Sequence, residues 1–444
     1  MASVAFDPLA SSAPLIIYID YKSPYAYLAK DPTYALEDEL GIEVDWRPFT
    51  LDIPSYLGSA RLDEHGKLVE SQRTEQQWRV VRYSYQDVRR YGSRRGLIVR
   101  GTTKIWNSSL AALGMLWVKR QGREALRRYS GLVYERFWKR ELDIEDAAVV
   151  ASVLQEAGAQ TAGFLAYAAN EGRAQYDDMQ RAAFDAGIFG VPTYVVGGEV
   201  FFGREHLPRI RWMLNGRHGP APDVAYEHRS VDNITTNRSV EGSLWVAIDF
   251  KSPNCYLAIG PTCALAEELG LGVDWQPFLV APWKEHSPGS GVNDRGARHR
   301  HFRADYSERE VMRYAADRGL VIRGLHRRTD SSIAAIGLLW IRRVAAPLAR
   351  VYVERFFERY WQQKLDIEDE NRIRALLSEI NAPAAGFASF ARAEGRAELE
   401  RVQSELASAG VFEVPTYSLN GDIYVGRQHL PLIRTLLSRR TSPT

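Results

Sequence analysis

The chain has 444 residues, 45% of them apolar and 25% charged, and 57 basic against 55 acidic side chains leave a formal charge of +2. That length exceeds one ordinary core and asks for at least two domains. The near-neutral balance excludes a global basic field for nucleic acid or an anionic membrane, and no apolar run nears the roughly 20 residues of a spanning helix.

In chain order, the first seven residues lack a basic stretch and end on Asp7, so no secretory leader is expected. Residues 15–19 (Leu-Ile-Ile-Tyr-Ile) predict a buried strand running into Asp20 and then Ser23-Pro24. Serine as cap and proline in the first turn predict a helix over 24–40. The mouth of such a helix, with unpaired N–H groups and the positive dipole end, favours an anion, a thiolate included. A second strand over 42–47 leads into Pro48. From about 70 to 186 the periodicity is helical, broken at Gly92, Gly101, Gly122 and Gly163. Thr193–Val196, the turn Gly197-Gly198 and Glu199–Phe202 predict a hairpin, and a helix from Arg204 to Leu214 closes the unit.

The same order then repeats. Ser23-Pro24 recurs as Ser252-Pro253 and Trp46 as Trp275, 229 residues on. Arg95-Gly96, Leu142-Asp143-Ile144-Glu145-Asp146 and Val191-Pro192-Thr193-Tyr194 recur at Arg318-Gly319, Leu365–Asp369 and Val414–Tyr417, 223 residues on. A period of that size is a domain duplication. The expected division is 13–216, a polar, Pro-containing linker over 217–242, and 243–438. A βαβ start and ββα finish around a helical block make each copy α/β. The two cysteines, Cys255 and Cys263, fall on one predicted helix about two turns apart, too far to bridge, so a reducing, cytoplasmic setting is expected.

Ser-Pro after the first strand, Trp46-Arg47-Pro48-Phe49, and Val191-Pro192-Thr193-Tyr194 followed by Phe202-Gly203-Arg204-Glu205-His206, all present twice in some form, resemble the DsbA-like thioredoxin superfamily. More narrowly, they are similar to 2-hydroxychromene-2-carboxylate isomerase and the kappa-class glutathione transferases. The resemblance implies two tandem thioredoxin-like domains, each with a large all-helical insertion, and a glutathione-dependent isomerase or transferase acting on an electrophilic, aromatic or unsaturated small molecule. It implies that Ser23 and Ser252 hold the glutathione thiol and that Val191-Pro192 and Val414-Pro415 are cis and pair with the cysteinyl backbone. It also implies that Arg204-Glu205 and Arg427-Gln428 meet the γ-glutamyl group. Alternatives are a non-catalytic glutathione- or small-molecule-binding protein and a residual thiol-disulfide oxidoreductase through Cys255. Related enzymes are homodimers, so the fused pair is expected to form an intramolecular pseudo-dimer, with a further homo-oligomer left open.

Each candidate has a plainer reading. Ser23 and Ser252 could simply cap helices, and Lys22 and Lys251 could simply be solvated. Trp46 is either a core aromatic or a wall of the glutathione site. Asn107, aligned with Asp330, is either a helix cap or a ligand contact. His206 and His429 read as surface or capping residues, and the scattered histidines suggest no metal site. The arginines between Arg73 and Arg100 read as a solvated face unless some hold a carboxylate. The copies differ: Glu413 and Gln428 stand where copy one has Gly190 and Glu205. Copy two has Cys255 without a cysteine partner at Ser252. Copy one is therefore the better-formed site.

Overall fold

A computed structural model describes residues 6–63, 65, 67–226, 242–283 and 294–439. They fall into two compact units, residues 1–222 with 288–303, and residues 223–287 with 304–444. Of the expected linker, 217–242, residues 217–222 group with the first unit and 223–226 and 242 with the second, and residues 227–241 lie outside the described residues.

The first unit begins with β1 (Leu15–Ile19), α1 (Pro24–Leu40) and β2 (Val44–Pro48). A short helix α2 (Pro54–Leu57) and a hairpin, β3 (Ala60–Leu62) and β4 (Leu68–Ser71), come next. The insertion follows as α3 (Glu75–Ser93), α4 (Ser109–Lys119), α5 (Arg123–Trp138), α6 (Ala147–Glu156), α7 (Phe164–Ala169) and α8 (Glu171–Asp185). Then come β5 (Thr193–Val196), β6 (Glu199–Phe202) and α9 (Leu207–Leu214). The helix expected from Arg204 starts as a 3-10 turn, Arg204–His206, because Pro208 fits only the first turn of an α-helix. The small hairpin before α3 has no counterpart in the sequence expectation.

The sheet runs β2-β1-β5-β6, with β1 parallel to β2 and antiparallel to β5. Ile17 stands between Trp46 and Tyr194 in register. All five β1 residues are buried, as a central strand covered on both faces requires. α1 is capped by Ser23 and ends at Gly41, whose φ of 61° is the left-handed conformation glycine adopts freely. Pro32 inside α1 has no N–H for the Leu28 carbonyl, and Arg95 Nη1 donates to that carbonyl instead, at 2.6 Å.

The second unit repeats the plan with β7 (Ser243–Ile248), α10 (Pro253–Leu269), β8 (Gly272–Pro277), α11 (Arg295–Asp317), α12 (Ser332–Val344) and α13 (Ala349–Trp361). It ends with α14 (Glu370–Glu379), α15 (Phe387–Arg392), α16 (Glu394–Ser408), β9 (Thr416–Leu419), β10 (Asp422–Val425) and α17 (Leu430–Arg439). Its sheet order, β8-β7-β9-β10, matches the first. The proline arrangement recurs too: Pro261 lies inside α10, and Arg318 donates to the Leu257 carbonyl. The first turns of α11, through Arg303, belong to the first unit.

Candidate active site

The turn from β1 into α1 is built around Asp20. Its buried carboxylate accepts the Lys22 N–H at 3.1 Å, the Leu51 N–H at 2.8 Å and the Ser108 hydroxyl. One side chain thus ties together the turn, the loop after β2 and the start of α4. The insertion fixes the backbone of the same turn: Tyr134 Oη donates to the Asp20 carbonyl at 3.3 Å and Trp138 Nε1 to the Tyr21 carbonyl at 3.2 Å. Ser23 N–H donates to the Asp20 carbonyl at 2.9 Å, and Ser23 Oγ accepts the Ala26 N–H at 3.2 Å. A capping hydroxyl in this position still has its own proton to donate.

Ser23 faces a cavity of about 670 Å³. One wall is a face of α3, where Trp78, Val81, Arg82, Tyr85 and Arg89 recur at helical spacing. The loop Gly101–Trp106, the α2 segment with Tyr56, and Phe189, Gly190, Val191 and Phe202 form the others. His299 and Arg303, from α11 but within the first unit, complete the lining. The charged residues around the cavity are Lys22, Arg73, Arg82, Arg89, Lys104 and Arg303, with no carboxylate among the described lining residues. Lys22 Nζ lies 3.5 Å from Asp20 Oδ2, and both side chains are buried.

Aromatic rings define much of the surface, and burial holds the Tyr25 and Tyr56 hydroxyls well above their ordinary range, so both are neutral donors. The His299 ring stacks on Tyr56, with centroids 4.0 Å apart and planes 3° apart, and meets Phe189 edge-on at 5.7 Å. Burial, and then the charges of Arg303, Arg295 and Arg300, push His299 down to about 4, against a hydrogen bond to the Phe189 carbonyl that acts the other way.

Both Val191-Pro192 and Val414-Pro415 are cis. Val191 lines the cavity and Pro192 adjoins it, its carbonyl accepting the Gly203 N–H at 2.9 Å. Trp46 is not a wall: it is buried in the core against Tyr34, with centroids 4.6 Å apart. Asn107 is exposed and caps locally, its Oδ1 accepting the Ser109 N–H at 3.0 Å, while its own N–H donates to Glu145 at 2.7 Å. That contact accounts for the repeated Leu-Asp-Ile-Glu-Asp motif, since Glu368 holds Asp330 N–H in the same way at 2.6 Å. Arg204 is buried under Tyr91, 4.9 Å from its ring centroid, and neither Arg204 nor Glu205 lines the cavity. His206 is buried, not a surface residue.

The second unit keeps the scaffold and changes the chemistry. Asp249 again accepts the neighbouring N–H groups and Ser331, but Lys251 Nζ is drawn in, donating to Asp249 at 2.5 Å and to Ser331 at 2.9 Å. Ser252 Oγ accepts the Cys255 N–H at 3.4 Å. Glu413 turns its carboxylate onto the Val414 N–H at 3.1 Å, a contact that Gly190 has no side chain to make. Arg427 is paired with Asp223 at 3.0 Å, and Gln428 donates to the Val425 carbonyl at 2.9 Å. Phe250, Val353 and Phe357 replace Tyr21, Ser130 and Tyr134, so the hydroxyl bonds of the first unit, Tyr21 to Ser130 at 3.0 Å and Tyr134 to the Asp20 carbonyl, have no counterpart, and among the described residues Trp361 Nε1 has no hydrogen-bond partner. Both cysteines are free and buried; burial raises the Cys255 thiol strongly and the Cys263 thiol to about 12. Among the described residues no cluster of three metal-ligating side chains occurs, and no helix is long and apolar enough to cross a membrane.

In the sequence Asp20 and Asp249 mark the end of the first strand of each copy, but nothing there gives either a role. Tyr56 and His299 carried no signal, His299 because it comes from the other sequence copy, whereas Arg303 lies in the arginine-rich run from Arg295 to Arg328.

Comparison with known proteins gives a match to the DSBA-like thioredoxin domain over residues 14–214 and again over 245–438. The chain is 21% identical over 192 residues to 2-hydroxychromene-2-carboxylate isomerase of Pseudomonas putida, covering 43% of this chain and 88% of that protein. It is 24% identical over 192 residues to the enzyme of the same name from Sphingobium xenophagum, covering 43% and 94%. A solved structure of 2-hydroxychromene-2-carboxylate isomerase is 21% identical over 44% of this chain and 95% of its own, with a TM-score of 0.36.

Proposed function

Because the chain belongs to the DSBA-like thioredoxin family through both of its halves, we propose that it is a glutathione-dependent enzyme whose working site is the first unit's cavity. There it would isomerise or conjugate a planar, anionic electrophile. The observation that carries this reading is Ser23 at a helix mouth, opening into an aromatic cavity whose charged lining is wholly basic.

The residues fit the tripeptide. Ser23 would donate its hydroxyl proton to the sulfur while its oxygen keeps the Ala26 N–H. The α1 dipole and the Lys22 ammonium favour the thiolate, which lowers the thiol from its free value of about 8.5. Val191, beside a residue without a side chain, would offer its backbone edge to an extended peptide. Glutathione, when bound, supplies a nucleophilic sulfur for an electrophilic carbon. The basic lining would hold the substrate carboxylate and the charge that develops on oxygen, and the aromatic walls would exclude water. Isomerase chemistry is favoured by the names of the relatives, 2-hydroxychromene-2-carboxylate isomerases. The thiol-disulfide alternative is disfavoured because Cys255 is buried, its thiol is raised, and it has no partner cysteine at Ser252.

Calorimetric titration with glutathione tests the reading. Ser23→Ala is expected to weaken binding about 10- to 100-fold, as the loss of a hydrogen bond to a charged group does. Unchanged affinity would remove Ser23 from the site. Turnover of 2-hydroxychromene-2-carboxylate only in the presence of glutathione would support the isomerase reading, and a glutathione conjugate as the final product the transferase.

A further inference from the structure

His299 differs from every cationic group around the cavity. Lys22, Arg73, Arg82, Arg89, Lys104 and Arg303 are all donors. The imidazole is held in place by its stack on Tyr56 and its edge contact with Phe189. One ring nitrogen carries the hydrogen bonded to the Phe189 carbonyl. A neutral imidazole has one donor and one acceptor nitrogen, so fixing the N–H on Phe189 makes the other nitrogen an acceptor. Protonation is opposed there by burial and by Arg303, Arg295 and Arg300, so the acceptor persists at neutral pH. A cavity so rich in cations selects an anion but cannot by itself select a ligand hydroxyl.

We propose that His299 is a specificity-determining residue of the first unit's cavity, accepting a hydrogen bond from a hydroxyl on an aromatic carboxylate bound against Tyr56. The ligand class is thus an aryl carboxylate with a free hydroxyl away from the carboxylate. Discrimination arises because a buried acceptor facing an ether or a hydrogen is left unpaired. The inference rests on the cavity being the substrate site and does not require that glutathione bind there.

The test uses the full chain and three matched pairs of probes, the 5-, 6- and 7-hydroxy-2-naphthoates against their methyl ethers, by calorimetry. At least one phenol is expected to bind tenfold or more tightly than its ether. His299→Phe keeps a ring on Tyr56 and removes the acceptor, so the preference should vanish while affinity for the ethers stays within about threefold. His299→Gln restores an acceptor oxygen and should recover part of the preference. Phenols and ethers binding within twofold of each other, no naphthoate binding at all, or a preference that survives His299→Phe would each overturn the assignment. Circular dichroism establishes that the variants are folded. A hydroxyl preference without any glutathione binding would leave this inference standing and sink the glutathione reading.

Discussion

At the scale of single residues, the same imidazole has a consequence for stability. His299 titrates near 6.5 when unfolded and is pushed down to about 4 in the fold, chiefly by burial and then by Arg303, Arg295 and Arg300. Between those values the unfolded chain binds the proton that the native site refuses. The stabilisation is therefore fully present above pH 6.5 and is lost as the pH falls toward 4. The linkage is on the order of 3 kcal/mol for the first unit. Urea melts at pH 7 and pH 4.5 should show a smaller acid-induced loss in His299→Phe than in the parent chain; equal losses would mean the ring is protonated in the fold. The residue scale is also where sequence reading reaches least. Ser23 and Val191 could be picked out because a motif surrounds them. His299 sits on a sequence copy whose own motif lies elsewhere, and nothing along the chain says that the first turns of α11 fold into the other unit. Trp46 and Arg204 had the right neighbours in sequence, but a side chain near a site in sequence can point into the core, and both do.

At the scale of elements, the copies share a solution that explains a repeated pair of residues with no evident chemistry. Arg95 and Arg318 each satisfy the carbonyl that a proline inside the preceding helix leaves without a donor. Arg95→Leu is therefore expected to cost about 1–3 kcal/mol, the penalty of a buried carbonyl left unpaired. Chemical denaturation of the variant measures it, and a change below half a kcal/mol would mean water replaces the guanidinium. A second shared solution joins α4 to α5: Tyr129 Oη donates to the Ala111 carbonyl at 2.8 Å, and Tyr352 to Ala334 at 3.0 Å. A Cβ on Gly114 or Gly337 would lie 2.2 Å from the tyrosine oxygen, so both positions need glycine for space. The order of strands and helices was legible because period, caps and breakers are local properties. The orientation of the α3 arginines was not, since it depends on which face of the helix meets the cavity. The structure sends Arg82 and Arg89 to the lining, while Arg90 pairs with Asp87.

At the scale of the whole molecule, the two units are unequal partners in the proposed chemistry. Positions matched across the repeat change in concert: Tyr25 to Asn254, Tyr85 to Glu308, Arg89 to Met312 and Trp106 to Thr329. With Glu413 on the Val414 N–H and Lys251 held by Asp249 and Ser331, the second unit meets internally the needs that a ligand would meet in the first. Glutathione is accordingly expected to bind with a stoichiometry near one per chain, and Ser252→Ala should leave affinity within about twofold of the parent. Two equivalent sites by calorimetry, or lost binding in Ser252→Ala, would assign the second unit a working site. The duplication itself was plain from the sequence, since five separate segments recur in the same order. Gly190 and Glu413 set the copies apart already in the sequence, but the reason for the difference lies in three dimensions.

That reason constrains history as well. A Cβ at Gly190 would lie 2.5 Å from the Phe202 ring, whereas the corresponding pair in the other unit is Glu413 and Val425. Of the two single-step intermediates between these pairs, glycine with valine leaves a small void, and glutamate with phenylalanine forces a collision. The path between the two pairs thus has a preferred order whichever came first: it runs through glycine with valine, the acid entering only after the ring has gone and the ring only after the acid has gone.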